Sequence, residues 1–85
     1  MSEWIDGLAT AVGQAPLAEE EEAALLRASR EVAHRVERRA TPLAAFILGL
    51  DVAGRIAGGQ PREAAIAAAI ADLERRLPEA ESDGG

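Results

Sequence analysis

The sequence predicts an all-α fold: a four-helix domain with a central apolar third helix and a disordered C-terminal tail. Three observations predict it. Glycine and proline cluster at Gly13 to Pro16, at Pro42, at Gly58 to Pro61 and from Pro78 onward, cutting the chain into four segments of helical length. Within these segments apolar residues recur at intervals of three and four, the helical period, and no alternation of period two marks a strand. The run Leu43 to Leu50 has no polar face at all, and a helix that is apolar all round belongs at the centre of a fold.

The first helix is expected to begin after Ser2, a suitable N-cap, with Glu3 near the positive helix end. Ile5, Leu8 and Val12 form its stripe, widened by Trp4 and Ala11. The second is expected to run from about Glu19 to Arg39. Glu19 to Glu22 stand at its N-terminal end and Arg38 and Arg39 at its C-terminal end, the order that complements a helix dipole. At roughly 100° per residue, Leu25, Leu26, Ser29, Val32, Ala33, Val36 and Ala40 share one side. Thr41-Pro42 reads as N-cap followed by first helical residue, because proline loses no helix hydrogen bond there. The third helix follows, interrupted only by Asp51 and Arg55 before Gly58. Its apolar middle is expected in the core, with Gly49, Ala53 and Ala57 allowing another helix close and Gly54 and Gly58 loosening the far end. The fourth helix opens at Pro61 and carries Ile66, Ile70, Leu73 and Leu77 as a core stripe, while its alanine-rich sides suit self-packing.

The 85 residues leave room for one core, assigned to residues 1–78, with residues 79–85 as the tail. A chain of this size usually needs a disulfide, a metal or a partner to hold it, and cysteine is absent, which removes the first. Thiolate metal sites and thiol redox chemistry go with it. Nine arginines, without lysine, face 15 acidic residues, and the net charge of −6 disfavours a nucleic-acid partner. The start lacks the basic region of a secretory signal, and no run of about 18 apolar residues is read for a membrane span, so no membrane partner and a cytoplasmic location are expected.

Chemistry-bearing residues concentrate at the junction of the second and third helices. His34 is the one side chain with an ordinary pKa near neutrality, with Glu37 and Arg38 three and four residues on. The bland alternative is a solvated helix end. Arg38, Arg39, Thr41 and Pro42 lead into a helix N-terminus, where free N–H groups suit an anion, although capping alone would explain Thr41. A metal centre needs three or four ligands and a di-metal bundle two Glu-x-x-His sets; one histidine meets neither. Neither a nucleophile elbow nor a phosphate loop occurs. No catalytic residues, no metal and no cofactor are therefore assigned.

The stretch Val32-Ala33-His34, then Glu37-Arg38-Arg39 leading into Thr41-Pro42-Leu43 and Phe46-Ile47-Leu48-Gly49, resembles a small actinobacterial all-helical domain family of unknown function. Members of that family occur alone or attached to nucleotidyltransferases resembling those that build molybdopterin guanine dinucleotide. The resemblance implies an accessory role around molybdenum-cofactor biosynthesis and brings no functional residues with it.

The functional expectation is a non-catalytic interaction module rather than an enzyme. Its partner is a protein, such as a nucleotidyltransferase, or a second copy in a homodimer, met through His34, Glu37, Arg38, Arg39, Thr41 and Pro42. A structural homo-oligomer without a ligand is the alternative.

Overall fold

A computed structural model describes residues 2–79. Four helices, α1 (Ser2–Ala11), α2 (Glu19–Arg35), α3 (Ala40–Ala57) and α4 (Arg62–Arg76), make up the all-α fold that the punctuation predicted. The expected tail lies outside the described residues except for Glu79, which is exposed and in no helix.

The helix ends show how the sequence sets these boundaries. Two glycines take backbone angles that other residues resist: Gly13 has φ of 79° and Gly59 has φ of 108°. Around each, the chain closes in a Schellman turn. Gln14 N–H donates to the Ala9 carbonyl and Gly13 N–H to that of Thr10; Gln60 and Gly59 repeat the pattern with Arg55 and Ile56. The far end of α3, expected to loosen at Gly54 and Gly58, is instead helical to Ala57 and closed by this turn. At the start of α2, the Glu21 carboxylate accepts the Ala18 N–H at 2.8 Å, which is half of a capping box. Alanine at the cap has no side-chain oxygen for the other half.

The α2–α3 corner departs from expectation. α2 ends at Arg35, four residues before Arg39, and Val36 leaves helical geometry with φ −115° and ψ −85°. The Glu37 and Arg38 carbonyls then accept the Ala40 and Thr41 N–H groups, each at 3.1 Å, so that a tight turn runs straight into α3. No glycine or proline between Pro16 and Pro42 marks this corner, which is why periodicity passed through it. Because α3 begins at Ala40, Thr41 is its second residue and does not cap it. Arg39 occupies the cap position without a side-chain hydrogen bond. Pro42, third in the helix, still sits where N–H groups have no helical acceptor.

Helices α2, α3 and α4 pack on one another pairwise. The buried residues are Ala28 and Val32 from α2, Leu48 from α3, and Ala65, Ile66, Ala69 and Ile70 from α4. The fourth helix therefore supplies most of the core, and Ala65 and Ala69, expected on self-packing faces, are spent inside the chain. Leu73 and Leu77 are half-buried.

The expectation that Leu43 to Leu50 lies in the core is overturned. α3 does touch both α2 and α4, but Leu43, Phe46, Ile47 and Leu50 are 67%, 69%, 65% and 58% exposed, and Leu48 alone is buried. The reason is geometric. Two neighbours cover one side of a helix, the side of Ala44, Leu48, Asp51, Val52 and Arg55, and the helix that could cover the other side stands away. That helix is α1, which makes no close backbone approach to the other three. Its expected core stripe is open, with Trp4, Leu8 and Val12 all exposed.

What ties α1 to the rest is Arg62, the first residue of α4. Its guanidinium donates to the Ala15 carbonyl at 2.9 Å, to that of Pro16 at 3.4 Å and to the Glu21 carboxylate at 3.2 Å. Glu21, one of the four glutamates that open α2, is half-buried and accepts from both Arg62 of α4 and the Ala18 N–H.

Candidate interaction surface

The polar junction forms a solvated corner. His34 is exposed in the last turn of α2, and Glu37, Arg38 and Arg39 are exposed in the turn that follows. With α2 ending at Arg35, Glu37 no longer lies one helical turn from His34, and among the described residues no hydrogen bond or ion pair joins His34, Glu37, Arg38 and Arg39 to one another. The other arginines are mostly engaged: Arg35 with Glu31, Arg55 with Asp51, Arg27 with Glu74, and Arg75 and Arg76 with Asp72. These last two hold the Asp72 carboxyl below the usual carboxylate range, chiefly by hydrogen bonding, Arg75 first. Arg38 and Arg39, next to Glu37 in the chain, make no ion pair among the described residues.

Thr41 is half-buried, and its hydroxyl oxygen is shielded from solvent without a hydrogen-bond partner. Pro42 is exposed. Groups of three His, Cys, Asp or Glu side chains able to hold a metal do not occur among the described residues.

The larger feature is the outward side of α3. At 100° per residue, Pro42, Leu43, Phe46, Ile47, Leu50, Ala53, Gly54 and Ala57 share the half of the helix turned from the core. Every one of them is exposed and none is polar. The spacing 43, 46/47, 50, 53/54, 57 is the three-four repeat that pairs one helix with another, here presented to solvent. Isolated apolar residues on a surface are ordinary; a contiguous apolar helix face is not. By length and composition α3 also reaches membrane-crossing values, with a mean hydropathy of 1.4 over 18 residues, so the reading that no such run exists is corrected. Asp51 and Arg55, which interrupt the run in the sequence, lie on the core-facing side and neutralise each other at 3.0 Å.

A cavity of about 590 Å³ lies beside this face, beneath α1. Leu8 and Val12 of α1, Leu25 and Val32 of α2, and Gly49 and Ile56 of α3 are among its lining. A second cavity, also about 590 Å³, opens where α2 and α4 end, with Leu43 and Ile47 at its edge. Both are lined mainly by apolar side chains, with Arg62, Ser29 and Thr41 at the first and the paired Asp51, Arg55, Asp72 and Arg76 at the second.

The chain matches the family described as Domain of unknown function (DUF6457) over residues 1–84, and it belongs to that family. No curated protein and no solved structure matches it.

Proposed function

We propose that this DUF6457 domain is a non-catalytic interaction module whose contact surface is the outward face of α3, edged by Arg38 and Arg39 at the α2–α3 corner. One observation carries the reading: Leu43, Phe46, Ile47 and Leu50 form a continuous stripe at helix-pairing spacing and are all more than half exposed. The buried set supports it, since three of its seven members are alanines, a small core for 85 residues, and chains of this size usually gain stability from a further contact. Pro42 is part of this face and exposed His34 and Glu37 stand at the adjoining α2–α3 corner, whereas Thr41, half-buried with its hydroxyl shielded, turns away from it.

A photo-crosslinking amino acid placed at Leu50 in producing cells tests this, with exposed Ala67 on α4 as the control position. Discrete adducts from position 50 and none from position 67 are expected; a chain that forms none at position 50 has no partner on this face. The resemblance to domains attached to nucleotidyltransferases makes an enzyme of molybdopterin guanine dinucleotide synthesis the first heterologous partner to look for among the adducts. An accessory role in that pathway stands or falls with that partner.

A further inference from the structure

We infer that the occupant of the α3 face is a second copy of this chain, bound as an antiparallel α3–α3 pair with its two-fold axis at Leu50; this rests on the contact-surface reading above. The stripe is asymmetric along its length. Its N-terminal half carries the large residues Leu43, Phe46 and Ile47, its C-terminal half the small residues Ala53, Gly54 and Ala57, and Leu50 lies midway between Leu43 and Ala57. Parallel pairing would stack large on large at one end and leave a gap at the other. Antiparallel pairing about Leu50 sets Leu43 on Ala57, Phe46 on Gly54 and Ile47 on Ala53, so each half fills the other. A Cβ built at Gly54 meets nothing within 4 Å, so the hollow that receives Phe46 is open in the single chain.

Area and charge agree with this. The stripe spans about 21 Å of helix. Taking about 150 Å² for the exposed part of Phe46, about 100 Å² for each exposed aliphatic and the remainder from small neighbours gives roughly 600 Å² per copy, or about 1,200 Å² in all, the lower end of standard specific interfaces. Antiparallel helices set their dipoles in the favourable sense and bring Arg38 and Arg39 to the negative end of the facing α3. The first turn of α4, which carries the exposed Glu63 beside the Glu21-paired Arg62, follows that end directly. Asp51 and Arg55 stay out of the seam, on the core-facing side, already paired.

Sedimentation equilibrium of the purified chain at tens of micromolar is expected to give twice the 8.9 kDa chain mass, and Leu50→Glu to return it to a single chain with unchanged helical circular dichroism. Geometry is tested by cysteine pairing, which the absence of native cysteine makes clean. Helix axes about 8–10 Å apart, with Cα atoms about 2.3 Å from each axis, put two facing Cα atoms roughly 3.4–5.4 Å apart, which reaches disulfide separation toward the wider spacing. Leu50→Cys should therefore crosslink to itself on mild oxidation. Leu43→Cys should crosslink to Ala57→Cys and not to itself. A single-chain mass at these concentrations overturns the proposal, whether or not the chain floats with phospholipid vesicles through α3. A dimer that crosslinks at Leu43 but not at Leu50 overturns the antiparallel arrangement. Heterologous adducts from position 50 alongside a single-chain mass would leave the contact-surface reading standing and remove this one; no adducts and a single-chain mass would remove both.

Discussion

Replacing Arg62 by alanine removes the side chain that, among the described residues, hydrogen-bonds the α1–α2 link to α4. Its bond to the Ala15 carbonyl is short, at 2.9 Å, that to Pro16 is long, at 3.4 Å, and the 3.2 Å ion pair with Glu21 lies between side chains only 27% and 12% exposed. A charged hydrogen bond of good geometry contributes about 1.5 kcal/mol, and the partly shielded ion pair adds up to about 1 kcal/mol, so a loss of about 2 kcal/mol is expected. Glu21 keeps the Ala18 N–H and is not stranded, which holds the loss below that of a fully buried pair. In a domain of this size the same loss lowers the thermal midpoint by roughly 8–16 °C. Thermal and urea melts followed by circular dichroism measure it, at one fixed protein concentration so that any association enters equally. Arg27→Ala is the control, because its 3.3 Å pair with Glu74 is 55% and 32% exposed and is expected to matter by less than about 0.5 kcal/mol. Equal effects of the two substitutions would show that the Arg62 bonds are ordinary surface contacts.

Four further outcomes follow from the same structure. Ile70→Ala empties a fully packed position, 3% exposed, and should cost about 2–4 kcal/mol in a urea melt; a loss under 1 kcal/mol would mean the three-helix core is misplaced. Gly59→Ala should cost about 1–2 kcal/mol purely through its φ of 108°, since no atom stands within 4 Å of the added methyl group. Gly49→Ala, in open helical space, should raise stability by about 0.5–1 kcal/mol, and a loss there would reveal an unseen close neighbour. Asp72, with its pKa lowered by Arg75 and Arg76, contributes stability that is complete above the ordinary aspartate range near pH 4 and is lost as pH falls below it. The stability difference between the wild type and Asp72→Asn should therefore close on acidification and shrink in salt; a difference that persists at pH 2 would assign it to packing.

Glycine and proline made most of the architecture legible, because each acts through local backbone geometry. Gly13 and Gly59 end helices where their positions say they should, and Pro61 precedes α4 by one residue. The 4-3-4 spacing of Ile66, Ile70, Leu73 and Leu77 found the buried side of α4, though not Ala65 and Ala69, whose small size lets the other helices approach and whose burial leaves no periodic signal. The corner at Val36 escaped for want of a breaker residue. Arg62 and Glu21 lie 41 residues apart, and no rule based on local spacing pairs them. The largest departure is α3. Its lack of a polar face placed Leu43 to Leu50 in the core, but composition does not say how many neighbours a helix has, and only Leu48 of that run is buried. With α1 standing off, the single chain leaves that side of α3 exposed.

Hydroxyl-radical footprinting of Phe46 in intact producing cells tests the claim that the α3 face is covered in the working protein. In the single chain Phe46 is 69% exposed, as open as Trp4 at 68%. Phe46 is expected to be protected in the wild type and reactive in Leu50→Glu, with Trp4 oxidation the same in both. Equal oxidation of Phe46 in the two proteins, at the rate its exposure in the single chain implies, would contradict that claim.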